Sequence, residues 1–185
     1  VSTTAMPGDI MKIYVQGSLA YLAGTDLYIV NISDPLHPEL INTYSTDFSS
    51  DILVSRDIAY LGDYMGNLYL FNVSNPRNVV EIKSFSLGSQ VHSLVKNGGF
   101  LYVSSATTRV FNVTIPSKAY EVVLQEPMTD GSCNAISRGL LAIGSGKNVT
   151  LYNVSSVQDP VKISEVEIDG DCNGVEFYGD YIIIA

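Results

Sequence analysis

Several residue types are scarce in this sequence of 185 residues. It contains no Trp, two Cys and two His, and charged residues make up only 16% of the chain. Two His residues are too few for a convincing metal site, and no spaced cluster of His, Asp or Glu resembles one. No P-loop, G-x-S-x-G or G-x-G-x-x-G motif is present. We therefore assign no catalytic residue, no metal ligand and no cofactor from the sequence.

Basic residues are also in short supply. There are 10 Lys and Arg residues against 19 Asp and Glu residues, which gives a formal net charge of −9. A negative chain repels phosphate backbones and anionic lipid surfaces, so nucleic acid is not an expected partner. No apolar run approaches the ~20 residues that a membrane-spanning helix needs. We expect no membrane insertion in this segment.

What the chain does contain is a short stretch that occurs four times. An apolar run is followed by Asn-x-Ser/Thr and, in three of the copies, by Pro two residues after the Ser or Thr. The copies lie at Val30–Pro35, Phe71–Pro76, Phe111–Pro116 and Tyr152–Ser155. Their asparagines are 41, 40 and 41 residues apart. A fixed period of this size indicates an array of identical supersecondary units. At the end of each run, the Asn side chain can accept a hydrogen bond from the backbone two residues on.

Each unit contains four short segments rich in aromatic and β-branched residues, which predicts four strands rather than helices. Four strands in each unit of ~40 residues are typical of a propeller blade. We predict an all-β fold, a β-propeller with four four-stranded blades and part of a fifth. The blades are expected at residues 9–46, 50–87, 91–125 and 133–168, with the partial blade at 172–185. In the third blade, the first strand is predicted at Val91–Val95 and the last at Glu121–Leu124.

The pattern of a strand followed by V-[DN]-[IV]-S-x-P resembles the LVIVD repeat, a family of β-propeller repeats. The resemblance extends over nearly the whole chain. In that family the residue after the apolar run is usually Asp, whereas this chain has Asn in all four copies. Asn and Asp make the same turn bond, so the resemblance still implies a propeller. It also implies a surface or secreted protein without a defined activity.

The end of the sequence repeats the start of the fourth unit. Cys172–Glu176 corresponds to Cys133–Ser137, and Tyr181–Ala185 corresponds to Leu140–Gly144. The sequence also begins at Val1 without an initiator Met, which indicates a processed protein or a piece of a longer one. We expect the chain to be a fragment of a larger propeller. The alternative is that the partial blade pairs with another chain in an assembly.

One polar position recurs in the alignment of the first strands of the five units. Its residues are Lys12, Asp51, His92, Asn134 and Asn173. The innermost strands of a propeller line its central channel, so these side chains are candidates for a ligand-binding ring at the channel mouth. The alternative is that strand starts facing a watery channel are simply polar.

The two cysteines occupy matching places in neighbouring units. Cys133 and Cys172 are 39 residues apart. Equivalent positions of adjacent blades approach each other near the axis, where Cα atoms could come within the ~4.4–6.8 Å that a disulfide needs. We predict a disulfide between them, and the alternative is two free, half-buried thiols.

Five Asn-x-Ser/Thr sequons are present. They begin at Asn31, Asn72, Asn112, Asn148 and Asn153. Glycosylation of these asparagines would explain why Asn replaces Asp in every unit and would place a glycan on the protein. The alternative is that the repeated sequon is a by-product of turn chemistry.

We therefore predict a non-enzymatic scaffold at the cell surface or outside the cell. It would bind a protein partner or assemble with itself. A ligand- or carbohydrate-binding propeller that uses the channel mouth is one alternative. An enzyme that uses the same ring, with His92 as its base, is another.

Overall fold

The computed structural model describes residues 7–185. These residues form eighteen β-strands and one 3-10 helix, Pro116–Lys118. At three residues, this helix of the described chain is far too short to cross a lipid bilayer. The chain divides into two compact units, of which the first ends at Val91 and the second extends from His92 to Ala185.

The first unit consists of two antiparallel four-stranded sheets, in which the strands pair in chain order. The first sheet contains β1 (Ile10–Gln16), β2 (Leu19–Gly24), β3 (Leu27–Asn31) and β4 (Glu39–Tyr44). The second sheet contains β5 (Ser49–Ser55), β6 (Ile58–Asp63), β7 (Asn67–Asn72) and β8 (Val80–Ser86).

The two sheets of the first unit pack face to face through one apolar cluster. From the first sheet it includes the buried side chains of Tyr21 and Ile29. From the second sheet it includes Ile52, Leu61 and Phe71. Because successive side chains of a strand point to opposite faces, strands that are apolar at every position can be covered on both sides.

The second unit has two four-stranded sheets and a strand pair. The third sheet contains β9 (Ser93–Asn97), β10 (Phe100–Ser104), β11 (Arg109–Asn112) and β12 (Tyr120–Glu121). The fourth contains β13 (Cys133–Ser137), β14 (Leu140–Ser145), β15 (Asn148–Asn153) and β16 (Val161–Glu167). The pair consists of β17 (Val175–Tyr178) and β18 (Tyr181–Ile184).

Two apolar clusters hold the sheets of the second unit together. One joins Tyr102 and Val110 of the third sheet to Leu141 and Ile143 of the fourth. The other joins the opposite face of the fourth sheet, which includes Cys133, Ala135 and Ala142, to residues around the β17–β18 pair. Within each unit, neighbouring sheets therefore stack as propeller blades do, and the predicted all-β propeller fold with four blades and part of a fifth is confirmed.

The third sheet departs from its predicted strands. Its first strand begins at Ser93 rather than Val91, and its last strand is only Tyr120–Glu121 rather than Glu121–Leu124. After Val122, whose amide still donates to the carbonyl of Val110, the chain leaves the sheet. The amide of Gln125 donates instead to the carbonyl of Gln158, in the loop that follows β15. An apolar run alone could not show this exit from the ladder.

The outermost strands of the other three sheets share an irregularity. In each of them, one residue is left out of the pairing between the third and fourth strands, which is a β-bulge. The unpaired residue is an isoleucine every time, at Ile41, Ile82 and Ile163. The bulge is thus a property of the repeat.

Candidate functional site

The repeat asparagines make the turn bond that the sequence predicts. The side-chain oxygens of Asn31, Asn72, Asn112 and Asn153 accept hydrogen bonds from the backbone amides two residues on, at 2.9–3.0 Å. The side-chain nitrogen is not used in this bond and is the atom to which an N-linked glycan attaches. In Asn112 that nitrogen donates to the Tyr120 hydroxyl at 3.2 Å. Turn chemistry is confirmed, and glycosylation stays a prediction.

The strand register separates the residues of the predicted ring. Lys12 pairs with Ala23, and Asp51 pairs with Gly62 at the equivalent place of the next sheet. In the third and fourth sheets this place is occupied by Ser93 and Cys133, which pair with Ser104 and Gly144.

The remaining three ring residues therefore lie one position away from the common column. His92 precedes Ser93, and Asn134 follows Cys133. Asn173 precedes Gly174, which exchanges backbone hydrogen bonds with Ala185. Adjacent residues of a strand point to opposite faces, so a residue one position away from the column lies on the other face of its strand. The five residues that the sequence aligns therefore do not share one position in the strand register.

The structure brings Lys12 and Asp51 together. The Lys12 Nζ lies 3.9 Å from the Asp51 Oδ1, and the lysine side chain is exposed while the carboxylate is buried. The same carboxylate oxygen also accepts a hydrogen bond of 2.8 Å from the backbone amide of Ile52. The Asp51 carboxylate therefore has one partner in its own strand and a longer, partly exposed contact to β1.

Asn134 is buried and bridges two sheets. Its side-chain oxygen accepts from the Ser93 hydroxyl at 2.8 Å, and its side-chain nitrogen lies 2.8 Å from the Ser104 hydroxyl. His92 and Asn173 are exposed. The side-chain nitrogen of Asn173 donates to the backbone carbonyl of Asp171, two residues earlier. Within the second unit, the structure thus pairs Asn134 with serines of the third sheet.

Two serines that no sequence pattern singled out make side-chain contacts to residues about one repeat further along the chain. The Ser50 hydroxyl lies within hydrogen-bonding distance of the carbonyl oxygens of Gly62 and Val91. The Ser132 hydroxyl lies 3.1 Å from the carbonyl oxygen of Gly144 and 3.0 Å from that of Cys172. In each case, one acceptor lies in the serine's own sheet and the other lies about one repeat further along the chain. Each serine is about one repeat away from its second acceptor, Val91 for Ser50 and Cys172 for Ser132. This spacing is the sequence signal that could have indicated the contacts.

The two cysteines meet, and both thiols are free. The sulfur atoms of Cys133 and Cys172 lie 3.3 Å apart and are buried. Burial, followed by the neighbouring Cys172, raises the pKa of the Cys133 thiol to about 12. A thiol in this state is a poor nucleophile near neutral pH. The disulfide between the two residues stays a prediction.

Two open grooves flank the short strand β12. One, of about 400 Å³, is lined by Arg109, Glu121 and Val122 among others. The other, of about 520 Å³, is lined by Phe100 and Tyr120 among others. Arg109 spans the first groove with a two-pronged ion pair to Glu121, which raises the pKa of the guanidinium. Both grooves lie beside the place where the chain leaves the sheet after Val122, and no sequence pattern indicated them.

Across residues 7–185, no group of three or more His, Cys, Asp or Glu side chains is arranged to hold a metal ion. His37 lies in an exposed loop, where its Nδ1 is 2.7 Å from the Asp34 carboxylate. This contact lowers the pKa of Asp34.

The comparisons with known proteins agree with the fold. The crystal structure of the computationally designed Ika8 protein has a TM-score of 0.74 and 10% identity, covering 93% of this chain and 54% of that one. The designed Ika4 protein has a TM-score of 0.67 and 11% identity, covering 82% of this chain and 95% of that one. This chain spans about half of the length of the Ika8 protein. At such low identity, both similarities concern the fold alone.

No curated protein matches the chain in sequence. The family model of the LVIVD repeat matches residues 7–46 and 48–86, which are the first two blades. These matches coincide with the first and second sheets, including the turns at Asn31 and Asn72. Residues 7–86 of this chain therefore match two successive LVIVD repeats.

Proposed function

We propose that this chain is a non-enzymatic scaffold outside the cell or at its surface, where it binds a protein partner or assembles with itself. The observation that carries the proposal is an apolar face on the first sheet. That face is opposite to the one that packs on the second sheet.

The apolar face extends across neighbouring strands of the first sheet. On β1, Ile13 and Val15 are 57% and 56% exposed. They pair across the ladder with Leu22 and Ala20 of β2, which belong to a buried apolar cluster on the same face. Ile13 and Val15 therefore present exposed apolar side chains beside this buried cluster, and exposed apolar patches mark protein interaction sites.

The polar residues of the predicted ring favour a scaffold over an enzyme. The Asp51 carboxylate is held by the Ile52 amide and lies beside Lys12, and Asn134 is bonded to serines of the neighbouring sheet. Side chains that already have hydrogen-bond or ionic partners are less available to bind or transform a substrate.

The interaction can be tested by placing a charge on the apolar face. We expect Ile13→Lys to abolish association of the chain with itself or with its partner, measured by sedimentation velocity and by photo-crosslinking from position 13 in the native host. Val161→Lys is the matched control, because Val161 is an outer-strand residue that is 55% exposed. A chain that stays monomeric at all concentrations and forms no crosslink to protein would contradict the proposal.

The extracellular location can be tested through the sequons. Asn72, Asn148 and Asn153 are exposed, and we expect peptide mapping of protein from the native host to find hexose on them. Occupancy should be lowest at Asn112, because its side-chain nitrogen is bonded to the Tyr120 hydroxyl. Unmodified peptides at all five sequons would argue against export through a glycosylating pathway.

The grooves beside β12 favour a second candidate function, binding of a small ligand such as a saccharide. Their volumes, about 400 and 520 Å³, fall in the range of roughly 300–1,000 Å³ that is usual for ligand sites. Tyr120 offers an exposed aromatic ring to such a ligand. Titration of simple saccharides followed by NMR should shift resonances of residues 120–123, and Tyr120→Ala should remove the shifts. Unchanged spectra would exclude this candidate for the sugars used.

A further inference from the structure

The two cysteines lie at the contact between the fourth sheet and the β17–β18 pair. Cys133 is the first residue of β13, and Cys172 lies three residues before β17. Both side chains belong to the cluster that joins these elements, with exposed fractions of 7% and 2%. Their sulfurs are 3.3 Å apart, which is van der Waals contact or a weak S–H hydrogen bond.

Gly144 leaves the space that the two sulfurs occupy. It pairs with Cys133 across the ladder of β13 and β14. A Cβ atom at this position would lie 2.4 Å from the Cys172 sulfur and 2.5 Å from the Cys133 sulfur. Any residue other than glycine would therefore push the sulfurs from their present places.

The backbones of both cysteines are held in position independently of their sulfurs. The Ser132 hydroxyl lies within hydrogen-bonding distance of the carbonyl oxygens of Gly144 and Cys172. The amide of Cys172 donates to the carbonyl of Gly146 at 2.7 Å. Bond formation would bring the sulfurs from 3.3 Å to about 2.05 Å.

We propose that Cys133 and Cys172 are a redox-reactive pair whose oxidation covalently ties the β17–β18 pair to the fourth sheet. The oxidant is a small disulfide such as glutathione disulfide, or a thiol–disulfide oxidoreductase. When local opening of the β17–β18 pair exposes one of the sulfurs, its thiolate attacks the oxidant, forms a mixed disulfide and releases one thiolate. The second cysteine thiolate then attacks the protein sulfur of that mixed disulfide and releases the second. The two cysteine protons are taken up by the two released thiolates, so two protein thiols and one disulfide give one protein disulfide and two thiols.

The element that gains from this bond is the β17–β18 pair. A two-stranded sheet is marginally stable alone, and this one depends on its packing against β13 and β14. A covalent link beside its first strand restricts local opening. We expect amide exchange in β17 and β18 to be at least about tenfold slower in the oxidised chain than in the reduced chain.

The experiment compares thiol accessibility and exchange in the two redox forms. The reduced, folded chain is incubated with glutathione disulfide, quenched with acid, denatured, alkylated and weighed by mass spectrometry. We expect no alkylated thiol and no bound glutathione, and two alkylated thiols after reduction. Cys133→Ser should instead retain one thiol or carry one glutathione. Hydrogen exchange of residues 175–184 is then measured for both forms.

A matched pair of glycine variants tests the role of the shared space. Gly144→Ala should slow bond formation at least about tenfold, because its Cβ displaces both sulfurs. Gly170→Ala, where a Cβ would meet nothing within 4 Å, should form the bond at the normal rate. Three results would overturn the proposal. They are two alkylatable thiols in the chain without substitutions after incubation with glutathione disulfide, a bond that forms only in denaturant, and equal exchange rates in the oxidised and reduced forms.

Discussion

The repeat asparagine combines two chemical roles in a single side chain. Its oxygen closes the turn after the third strand, and its nitrogen belongs to a glycosylation sequon. Both roles were proposed from the sequence, because the spacing of Asn and Ser/Thr suits each of them. The structure shows the first role directly, at Asn31, Asn72, Asn112 and Asn153.

The two roles can be separated at Asn72. Asn72→Asp keeps the acceptor oxygen and removes the sequon, so we expect the free energy of unfolding of unglycosylated protein to change little. Asn72→Ala removes both, and we expect a loss of about 0.5–1.5 kcal/mol from the missing turn bond. Urea unfolding of protein from a non-glycosylating host provides the measurement. Equal stability of the Ala variant and the unchanged chain would show that the turn does not need this bond.

The serine contacts between sheets predict a second measurable effect. Ser132→Ala leaves the carbonyl oxygen of Cys172 without its hydroxyl partner, and we expect a loss of about 1 kcal/mol in the free energy of unfolding. Ser164→Ala is the control, because Ser164 is an exposed residue of β16. Urea unfolding under reducing conditions should show the loss only for Ser132→Ala, and equal midpoints for both variants would contradict it.

The ring of polar residues shows where prediction from single positions fails. Lys12 and Asp51 were aligned correctly with each other, and each follows a β-bulge near the start of its strand. His92, Asn134 and Asn173 were each one residue away from the common column. A shift of one residue reverses the face of a strand, and no sequence pattern marks a bulge at the strand start.

Strands were easier to predict than their ends. The second strand of each repeat is apolar at nearly every position, so its burial on both faces follows from composition. The last strand of the third sheet was the main failure. Its residues Val122–Leu124 are apolar enough for a strand, but the chain turns away toward Gln158. Such a tertiary hydrogen bond has no local signal.

The short strand β12 carries Glu121, the partner of Arg109 in an ion pair. The pair joins β11 to β12 with two hydrogen bonds, and the guanidinium also lies over the Phe111 ring. Arg109→Ala should loosen β12, and we expect the Val122 amide, which donates to the Val110 carbonyl, to exchange at least about tenfold faster. Arg109→Lys should give an intermediate rate, because Lys keeps the charge without the planar fork.

Hydrogen exchange followed by NMR would measure these rates. The amide of Val154, which donates to the carbonyl of Gly139 in the fourth sheet, is an internal reference that should not change. An unchanged Val122 rate in Arg109→Ala would show that backbone pairing alone holds β12.

Over the whole chain, the fold was predictable because the same solution recurs at a fixed period. Tyr21, Tyr60 and Tyr102 occupy the same position of the second strand in three successive sheets, and all are buried. The same residue at the same strand position of successive repeats indicates that these positions have the same packing requirement. Ala142 takes this position in the fourth sheet, so the requirement is for an apolar side chain rather than for a hydroxyl.

The buried tyrosines predict how the stability of the molecule depends on pH. Burial raises the pKa of Tyr60 and of Tyr102 above the ordinary value of 10.0. The unfolded chain therefore releases these protons at lower pH than the folded chain does. Their contribution to stability is complete below a pH of about 10 and is lost as the pH rises through the raised values of the folded state.

We therefore expect the urea midpoint to fall as the pH rises above about 10. Tyr60→Phe should show a smaller fall, since its ring cannot ionise, whereas Tyr178→Phe at an exposed site should behave like the unchanged chain. Ultraviolet titration should detect the exposed tyrosinates before the buried ones. A midpoint that is flat across this range would contradict the expectation.

The isoleucine bulges also bear on how such an array can evolve. Unequal crossover between neighbouring gene segments produces chimeric repeats. A junction inside a strand that joins positions of different register would move the following side chains to the opposite face of the sheet. Because Ile41, Ile82 and Ile163 occupy one equivalent place, a junction there preserves the alternation on either side. Exchange of outer strands at this place would therefore keep each strand in register with its sheet.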